Sequence, residues 1–296
     1  MSPYMSVNDS ELYYEVHGDE HEKTIIVLHG GPGVSDYEKG LTAYGPLTDE
    51  YRLVVYDHRG CGNSSLTPPY SNEQFADDVE GLRTELGIDE FVLIGGSYGG
   101  FITQEYAIKY PDALSGFILR DTAAHGGHRD RAREIAESRF DEVKDANLDT
   151  PRLTKDAFDR VMEGNVGSDE ELKETFHAML PLYAPSISEF DAASAREGIE
   201  KRQFHHETHN YTFTHEHPTM DYRDQLSAVS CPALVTVGRH DWITPVEYSE
   251  EIAELLPNAE LVIFENSGHS PNLDEQDKYL ETVRSFLSDI GFVADT

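Results

Sequence analysis

A serine between glycines is the first residue in this sequence that could do chemistry. Gly95-Gly96-Ser97-Tyr98-Gly99 has the pattern G-x-S-x-G, follows the apolar run Phe91–Ile94 and precedes a helix-forming stretch. In that context the pattern predicts a nucleophile elbow, a sharp strand-to-helix turn that exposes the serine hydroxyl at a sheet edge. The glycines let strand and helix pass closely while the serine takes a strained backbone conformation. Ser97 is therefore the candidate nucleophile.

A serine hydroxyl is a poor nucleophile at neutral pH unless a base removes its proton and a carboxylate orients that base. Among 14 histidines, His269 is the candidate base, because Ser267-Gly268-His269-Ser270 comes just after a strand-like run and before the last helical stretch. This places its imidazole at the carboxyl end of a strand.

Two aspartates compete for the role of the orienting acid. Asp241 follows the strand-like run Ala233–Gly238, and it is the candidate that we prefer. Asp121 ends the run one strand after the nucleophile and is the alternative. His240, next to Asp241, is expected to be structural.

Acyl transfer also needs N–H donors aimed at the oxyanion. His29-Gly30-Gly31-Pro32-Gly33 follows the strand-like run Thr24–Leu28, and its glycines let a backbone N–H face the substrate. The N–H groups of Gly31 and Tyr98 are the predicted oxyanion hole. His29 is expected to orient or pack rather than to act as a second base.

These residues require parallel strands whose carboxyl ends meet at one sheet edge. Short, mostly continuous apolar runs alternate with amphipathic stretches, which is the pattern of strands buried on both faces by crossover helices. The predicted strands are Leu12–Val16, Thr24–His29, Tyr51–Asp57, Phe91–Gly95, Gly116–Asp121, Ala233–Gly238 and Leu261–Glu265. The predicted helices between them are Asn72–Leu86, Gly99–Tyr110, Pro245–Leu256 and Asp274–Ile290. The fold class is α/β, with a mostly parallel central sheet and helices on both faces.

The βα rhythm stops between residues 122 and 222. That stretch is charged and favours helices, with candidates at Ala132–Phe140, Lys155–Met162 and Asp169–Leu180. We expect residues 1–121 and 223–296 to form the core and residues 122–222 to form an inserted helical cap over the strand ends.

Composition excludes several classes of function. The chain has 296 residues, 38% of them hydrophobic, so it can bury a sizeable core. Its 23 cations and 56 carboxylates give a formal charge of −33, which is unsuited to nucleic acid or anionic lipid. One explanation is adaptation to concentrated salt, which screens the repulsion; an ordinary acidic protein is the other.

Membrane spans, leader segments and disulfides are also not expected. The apolar runs are far shorter than the roughly 20 residues that a bilayer span needs. No basic segment precedes an apolar one within Met1–Ser10, so we expect a cytoplasmic protein. Cys61 and Cys231 are expected to be reduced thiols.

Four motifs together resemble a known family. They are His29–Gly33, Asp57-His58-Arg59-Gly60-Cys61-Gly62-Asn63-Ser64, Gly95–Gly100 and Gly238-Arg239-His240-Asp241. With them the chain resembles α/β-hydrolases of the proline iminopeptidase group, in which the order Ser97, Asp241, His269 is the usual one. The resemblance implies an α/β-hydrolase fold and cleavage of a free N-terminal residue, often proline, through an acyl-enzyme on Ser97.

The substrate-binding residues depart from the family pattern. Family peptidases hold the substrate ammonium with glutamates, at least one from the cap and in some members another directly after the catalytic Asp, a position that is Trp242 here. Glu207 is the nearest match to a cap glutamate and Glu216 is the second. Trp242 is expected to line an apolar substrate pocket, together with Tyr98, Tyr211 and Phe213.

Cofactor sites are not expected. Five cap histidines lie between residues 205 and 217, but their spacing matches no firm zinc motif. A dinucleotide-binding site is not expected either, because neither the turn Gly95–Gly99 nor Gly60-Cys61-Gly62 reads G-x-G-x-x-G. After Gly60-Cys61-Gly62, Ser65 stands where the third glycine is needed. The predicted enzyme needs no metal or organic cofactor.

The sequence thus predicts a serine hydrolase acting on a small peptide or small molecule, most simply an aminopeptidase for N-terminal proline or another small apolar residue. An esterase, amidase or lactonase with the same three residues, a carbon–carbon hydrolase and an inactive binding module are the alternatives. The intact set of three residues plus the oxyanion loop argues against the binding module.

Overall fold

The computed structural model describes residues 3–293; the outermost residues of the predicted core, 1–2 and 294–296, lie outside the described range. Eight strands form one sheet: β1 Tyr4–Val7, β2 Ser10–His17, β3 Thr24–Leu28, β4 Arg52–Tyr56, β5 Phe91–Gly96, β6 Leu114–Arg120, β7 Ala233–Gly238 and β8 Ala259–Phe264. Their order across the sheet is β1-β2-β4-β3-β5-β6-β7-β8. The pairs β1/β2 and β2/β4 are antiparallel and all others are parallel. The predicted mostly parallel sheet is confirmed.

The central strands are buried on both faces, which is why their sequences are continuous apolar runs. Side chains alternate between the two faces. Ile26 and Leu93 belong to one apolar cluster, whereas Ile25 and Val92 belong to another on the opposite face.

Twelve α-helices lie in the described range: α1 Tyr37–Tyr44, α2 Asn72–Glu85, α3 Tyr98–Lys109, α4 His128–Asp145, α5 Lys155–Glu163, α6 Asp169–Met179, α7 Ala192–Lys201, α8 His206–Tyr211, α9 Arg223–Leu226, α10 Val246–Leu255, α11 Pro271–Asp274 and α12 Gln276–Asp289. Apolar side chains of α2, α3 and α10 cover one face of the sheet, and those of α1 and α12 cover the other. Within residues 3–293, none of these helices has the length and apolar character that a bilayer crossing requires.

Residues 122–222, called the helical segment below, connect β6 to β7 and contain α4 to α8. They form their own apolar cluster, to which Val34 and Trp242 contribute from outside the segment. Its two ends meet at a β-bridge between His125 and Asp221. The predicted helix 132–140 is the middle of a longer helix, α4, whereas α7 and α8 were not predicted.

One side of the helical segment is fastened to the loops that follow β3 and β4. The His205 N–H donates to the Gly33 carbonyl at 2.9 Å, and Thr208 Oγ1 donates to the Gly60 carbonyl at 2.8 Å. Gly33 has φ 73°, and a Cβ there would overlap the His205 carbonyl. The last glycine of the His29–Gly33 motif therefore permits this close approach.

Candidate active site

Ser97 lies between β5 and α3 in a strained backbone conformation, with φ 55° and ψ −122°. A non-glycine residue with positive φ is costly and persists only where its surroundings hold it. The Ser97 N–H donates to the Arg120 carbonyl at 2.8 Å, and Thr122 Oγ1 donates to the Ser97 carbonyl at 3.0 Å. A Cβ on Gly99 would lie 2.7 Å from the His29 carbonyl oxygen, so this glycine is required for the close strand-to-helix packing.

His269 lies in the loop after β8, and its imidazole faces Asp241. Nδ1 is 2.9 Å from each carboxylate oxygen of Asp241. Because an ionised carboxylate only accepts, Nδ1 carries the proton and donates, which leaves Nε2 as the basic nitrogen. Both side chains are buried.

Asp241 is fixed by the start of the loop that follows it. The Ile243 N–H donates to Oδ1 at 2.8 Å and the Thr244 hydroxyl donates to Oδ2 at 2.8 Å. Burial alone would raise the pKa of Asp241, but His269 and these hydrogen bonds outweigh it and hold the pKa below its usual value. Asp241 is therefore ionised at neutral pH.

Asp121, the alternative acid, lies next to this pair but is bonded to other groups. Its Oδ1 accepts from the Gly238 N–H at 2.9 Å, and its Oδ2 accepts from Arg120 at 2.8 Å. Burial raises the pKa of Asp121 to about 7 despite the attraction of Arg120. One ligand atom each from Asp121, Asp241 and His269 lie within 4.8 Å of one another, a set that could also hold a cation. Arg120 already supplies positive charge there, and it also donates to the His269 carbonyl at 2.8 Å.

The loop that follows β3 runs directly against the serine. A Cβ on Gly30 would lie 3.1 Å from Ser97 Cβ and 3.6 Å from its Oγ. The Tyr98 N–H is the first of α3, so the helix offers it no acceptor. His29 Nδ1 is 2.7 Å from the Gly30 carbonyl, and burial lowers its pKa to about 4. His29 is thus a neutral side chain that shapes this loop.

Two cavities meet at Ser97, and both are also lined by Gly31, Val34, Phe176 and Tyr183. The larger, of about 220 Å³, is lined by His269 and is called the His269 cavity. The smaller, of about 80 Å³, is lined by Trp242 and is called the Trp242 cavity. The Tyr183 ring centroid lies 5.6 Å from the ring centroids of both His269 and Trp242, so Tyr183 stands between the two cavities.

The Trp242 cavity is mostly apolar but carries three buried histidines. Its apolar walls include Phe101, Met162, Met179, Phe213 and Ile243. Burial lowers the pKa of His128 and of His209 to about 4, and it also lowers the pKa of His217 well below its usual value. These imidazoles are neutral at pH 7. Within residues 3–293, both ring nitrogens of His217 and the Trp242 indole N–H have no hydrogen-bond partner.

The His269 cavity is lined by three cations. They are Lys39 on α1, Arg120 at the end of β6 and Arg202 directly after α7. Among the described residues, no Asp or Glu lines either cavity.

The predicted amine-binding glutamates do not reach these cavities. Glu207 is exposed on α8 and lines neither of them. The Glu216 carboxylate accepts from the Asn72 N–H at 2.9 Å, at the start of α2. A short helix directs position 207 outward because the faces of α8 that carry Thr208 and His209 are the buried ones.

Some of the other predicted lining residues and cap histidines line the Trp242 cavity, and some do not. Tyr98, Phe213 and Trp242 line the Trp242 cavity, whereas Tyr211 does not. Of the five cap histidines, His209 and His217 line this cavity and the other three do not. Sequence reasoning missed Lys39, Arg202 and His128, because nothing in their spacing relates them to Ser97.

A family model described as the alpha/beta hydrolase fold matches residues 23–276. The chain is 35% identical to a proline iminopeptidase of Pestalotiopsis fici, over 97% of this chain and 99% of the relative. It is 27% identical to a proline iminopeptidase of Saccharolobus solfataricus, over 97% and 92% of the two chains.

Solved structures show the same fold. A thermophilic esterase from Thermogutta terrifontis is 26% identical with a TM-score of 0.67, covering 97% of both chains. An esterase from Exiguobacterium antarcticum is 21% identical with a TM-score of 0.75, covering 97% of this chain and all of that one (100%).

Proposed function

This chain belongs to the α/β-hydrolase fold family, in its proline iminopeptidase group, and we propose that it is a serine aminopeptidase that uses Ser97, His269 and Asp241. The substrate is a short peptide with an N-terminal proline or another small apolar residue. The observation that carries the proposal is the contact of His269 Nδ1 with both oxygens of Asp241, at 2.9 Å each, in a cavity that Ser97 also lines.

The reaction follows from the roles of these groups. His269 Nε2 takes the Ser97 hydroxyl proton as Oγ attacks the carbonyl carbon of the scissile bond. The N–H groups of Gly31 and Tyr98 donate to the resulting oxyanion. His269 then gives its proton to the leaving amine, and the acyl-enzyme forms. Water, deprotonated by His269, hydrolyses the ester and restores Ser97.

The acyl residue is proposed to bind in the Trp242 cavity. A proline ring is small and apolar, as are the walls formed by Phe101, Met162 and Phe213. The neutral His217 imidazole offers a hydrogen-bond acceptor to an amine. Because no described carboxylate lines this cavity and Arg129 does, an amine would enter it uncharged.

The absence of a described carboxylate in both cavities also favours a second function. An esterase or amidase that accepts substrates without an amine would need no counter-charge in the Trp242 cavity. The solved esterase that is 26% identical to this chain is consistent with that alternative.

A matched pair of substrates separates the two functions. A prolyl arylamide and its N-acetylated form would be assayed between pH 6 and 9. An aminopeptidase hydrolyses only the free amine, and its kcat/KM rises as the ammonium loses its proton, with α-amino groups titrating near about 7.7–8.0. Equal or faster hydrolysis of the N-acetylated form would establish the second function instead. The Ser97→Ala variant controls for contaminating activity in both assays.

A further inference from the structure

Two of the three cations that line the His269 cavity have no carboxylate partner among the described side chains, although the chain is rich in carboxylates. Apart from the side chain of Glu189, which is not described, no carboxylate oxygen of residues 3–293 lies within 4.0 Å of the Lys39 ammonium or of the Arg202 guanidinium, whereas Arg120 is paired with Asp121 at 2.8 Å. The chain has 56 carboxylates against 23 cations, and yet these two neighbouring cations have no ion-pair partner among the described side chains. Two such cations in one cavity indicate a ligand that brings the negative charge.

Lys39 and Arg202 lie together where the His269 cavity opens. Both line this cavity and also an open depression on the protein surface. Desolvation and then the charge of Arg202 lower the pKa of Lys39, which is consistent with two close cations. The charges of Asp36 and Glu38 act to raise the pKa of both Lys39 and Arg202, although their carboxylates lie beyond ion-pair distance of both cations.

Arg202 is held in place by the protein but keeps donors free. Its Nη1 donates to the Val34 carbonyl at 3.0 Å, and its guanidinium lies 5.6 Å from the centre of the Phe176 ring. A guanidinium has five N–H donors, and a carboxylate is the partner that its planar fork matches. Arg202 is therefore positioned for such a group before any ligand arrives.

The chemistry of the proposed function assigns the His269 cavity to the leaving group. His269 must give its proton to the departing amine, so that amine lies beside the imidazole. His269 lines the larger cavity and not the Trp242 cavity. Ser97 and Gly31 line both, as expected if the scissile carbonyl sits at their junction.

We propose that the leaving group of the substrate ends in a carboxylate, which binds between Lys39 and Arg202. This proposal rests on the proposed function, and it predicts that the enzyme prefers dipeptides to longer peptides. When a dipeptide is cleaved, the leaving residue carries its own α-carboxylate close to the scissile bond. The volume of about 220 Å³ fits a small leaving group. In a longer peptide the carboxylate moves away from the two cations.

The test compares a prolyl dipeptide with its C-terminal amide, which differs only in this charge. We expect kcat/KM for the acid to exceed that for the amide by about tenfold or more, mostly through KM, as for a charge-assisted hydrogen bond. Lys39→Met and Arg202→Met should each lower this ratio several-fold. The matched control is Lys155→Met, which removes the same charge from an exposed lysine paired with Glu137 and Asp159 and should leave the ratio unchanged.

The outcomes are separable from those of the proposed function. A ratio near one, or a ratio that both cavity variants leave intact, overturns the carboxylate site while peptide hydrolysis still supports the aminopeptidase. Because Lys39 is exposed, its substitution tests the site even if Arg202→Met fails to fold. If only esters are cleaved, the aminopeptidase fails, and the same comparison is made with leaving alcohols that carry or lack a carboxylate. If the enzyme hydrolyses none of these substrates, both proposals are wrong.

Discussion

The two cavities that meet at Ser97 differ in electrostatic character. The His269 cavity is lined by Lys39 and Arg202, which lack carboxylate partners among the described side chains, whereas the Trp242 cavity is lined mostly by apolar side chains and neutral histidines, with Arg129 as its one cation among the described residues. A small neutral group is favoured on one side and an anion on the other. In the proposed reaction, this difference would orient the scissile bond by charge as well as by shape.

The largest effect is expected from removing the hydroxyl of Ser97, which lies where the two cavities meet. Ser97→Ala should lower kcat by about 10³-fold or more, because the attacking oxygen is lost. Steady-state kinetics measures the loss, and a fluorophosphonate should label the parent enzyme but not the variant. The control is Ser138→Ala, an exposed position on α4. An active, labelled Ser97→Ala enzyme would refute the mechanism.

Replacing the two aspartates beside His269 tests which of them orients the imidazole. Asp241→Asn should lower kcat by about 10³- to 10⁴-fold, because the amide no longer holds the Nδ1–H tautomer. Asp121→Asn should cost at least tenfold less, because its carboxylate is bonded to Arg120 and Gly238. The kcat values of the two variants, measured in parallel, show which aspartate orients His269. A larger loss of kcat in Asp121→Asn than in Asp241→Asn would make Asp121 the orienting acid.

The neutral character of the Trp242 cavity predicts a pH dependence of stability. The pKa of His209 is lowered from 6.5 to about 4 by burial, so the unfolded chain binds more protons between those values. Its neutral form therefore stabilises the fold fully above pH 6.5, and this stabilisation is lost as pH falls towards 4. The loss is on the order of 3 kcal/mol at most.

Denaturant unfolding of His209→Gln at pH 7.5 and pH 5 measures this contribution. The free energy of unfolding of the variant should fall less between the two pH values than that of the parent protein. His215→Gln, an exposed position in the same segment, is the control. Equal pH dependence in parent and His209→Gln would show that His209 is not held neutral.

Salt acts on the exterior rather than on either cavity and gives the smallest expected effect. The formal charge of −33 makes the surface self-repelling, and molar KCl shortens the Debye length to about 3 Å. We expect Tm and activity on the prolyl dipeptide amide, which lacks the C-terminal carboxylate, to rise with KCl. A flat response would mean an ordinary acidic protein without adaptation to high salt.

Much of the sheet was predictable because its signals are local. Ala233–Gly238 coincides with β7, and the predicted runs for β3, β5 and β6 differ from the strands by a few residues. Continuous apolar runs identify strands buried on both faces. By contrast β1, a four-residue edge strand with mostly polar or exposed positions, carries no such signal.

The site could be predicted only where the backbone conformation requires a particular residue type, such as glycine. The glycines around Ser97 and in the loop after β3 mark close approaches, and they point to these positions directly. Lys39 on α1 and Arg202 directly after α7 are far apart in sequence, and only the folded chain brings them together. Glu207 was chosen by family pattern, but the buried faces of α8 leave it in solvent.

The hydrogen bonds that His205 and Thr208 donate to the carbonyls of Gly33 and Gly60 bear on how substrate would enter and product would leave. Since the helical segment is anchored there, that edge does not swing open to admit a molecule. The His269 cavity then opens to solvent at a fixed place beside Lys39 and Arg202, next to a surface depression that Asp36, Glu38 and Glu197 also line. Exchange of substrate and product should accordingly depend on diffusion past two charged side chains rather than on a hinge motion.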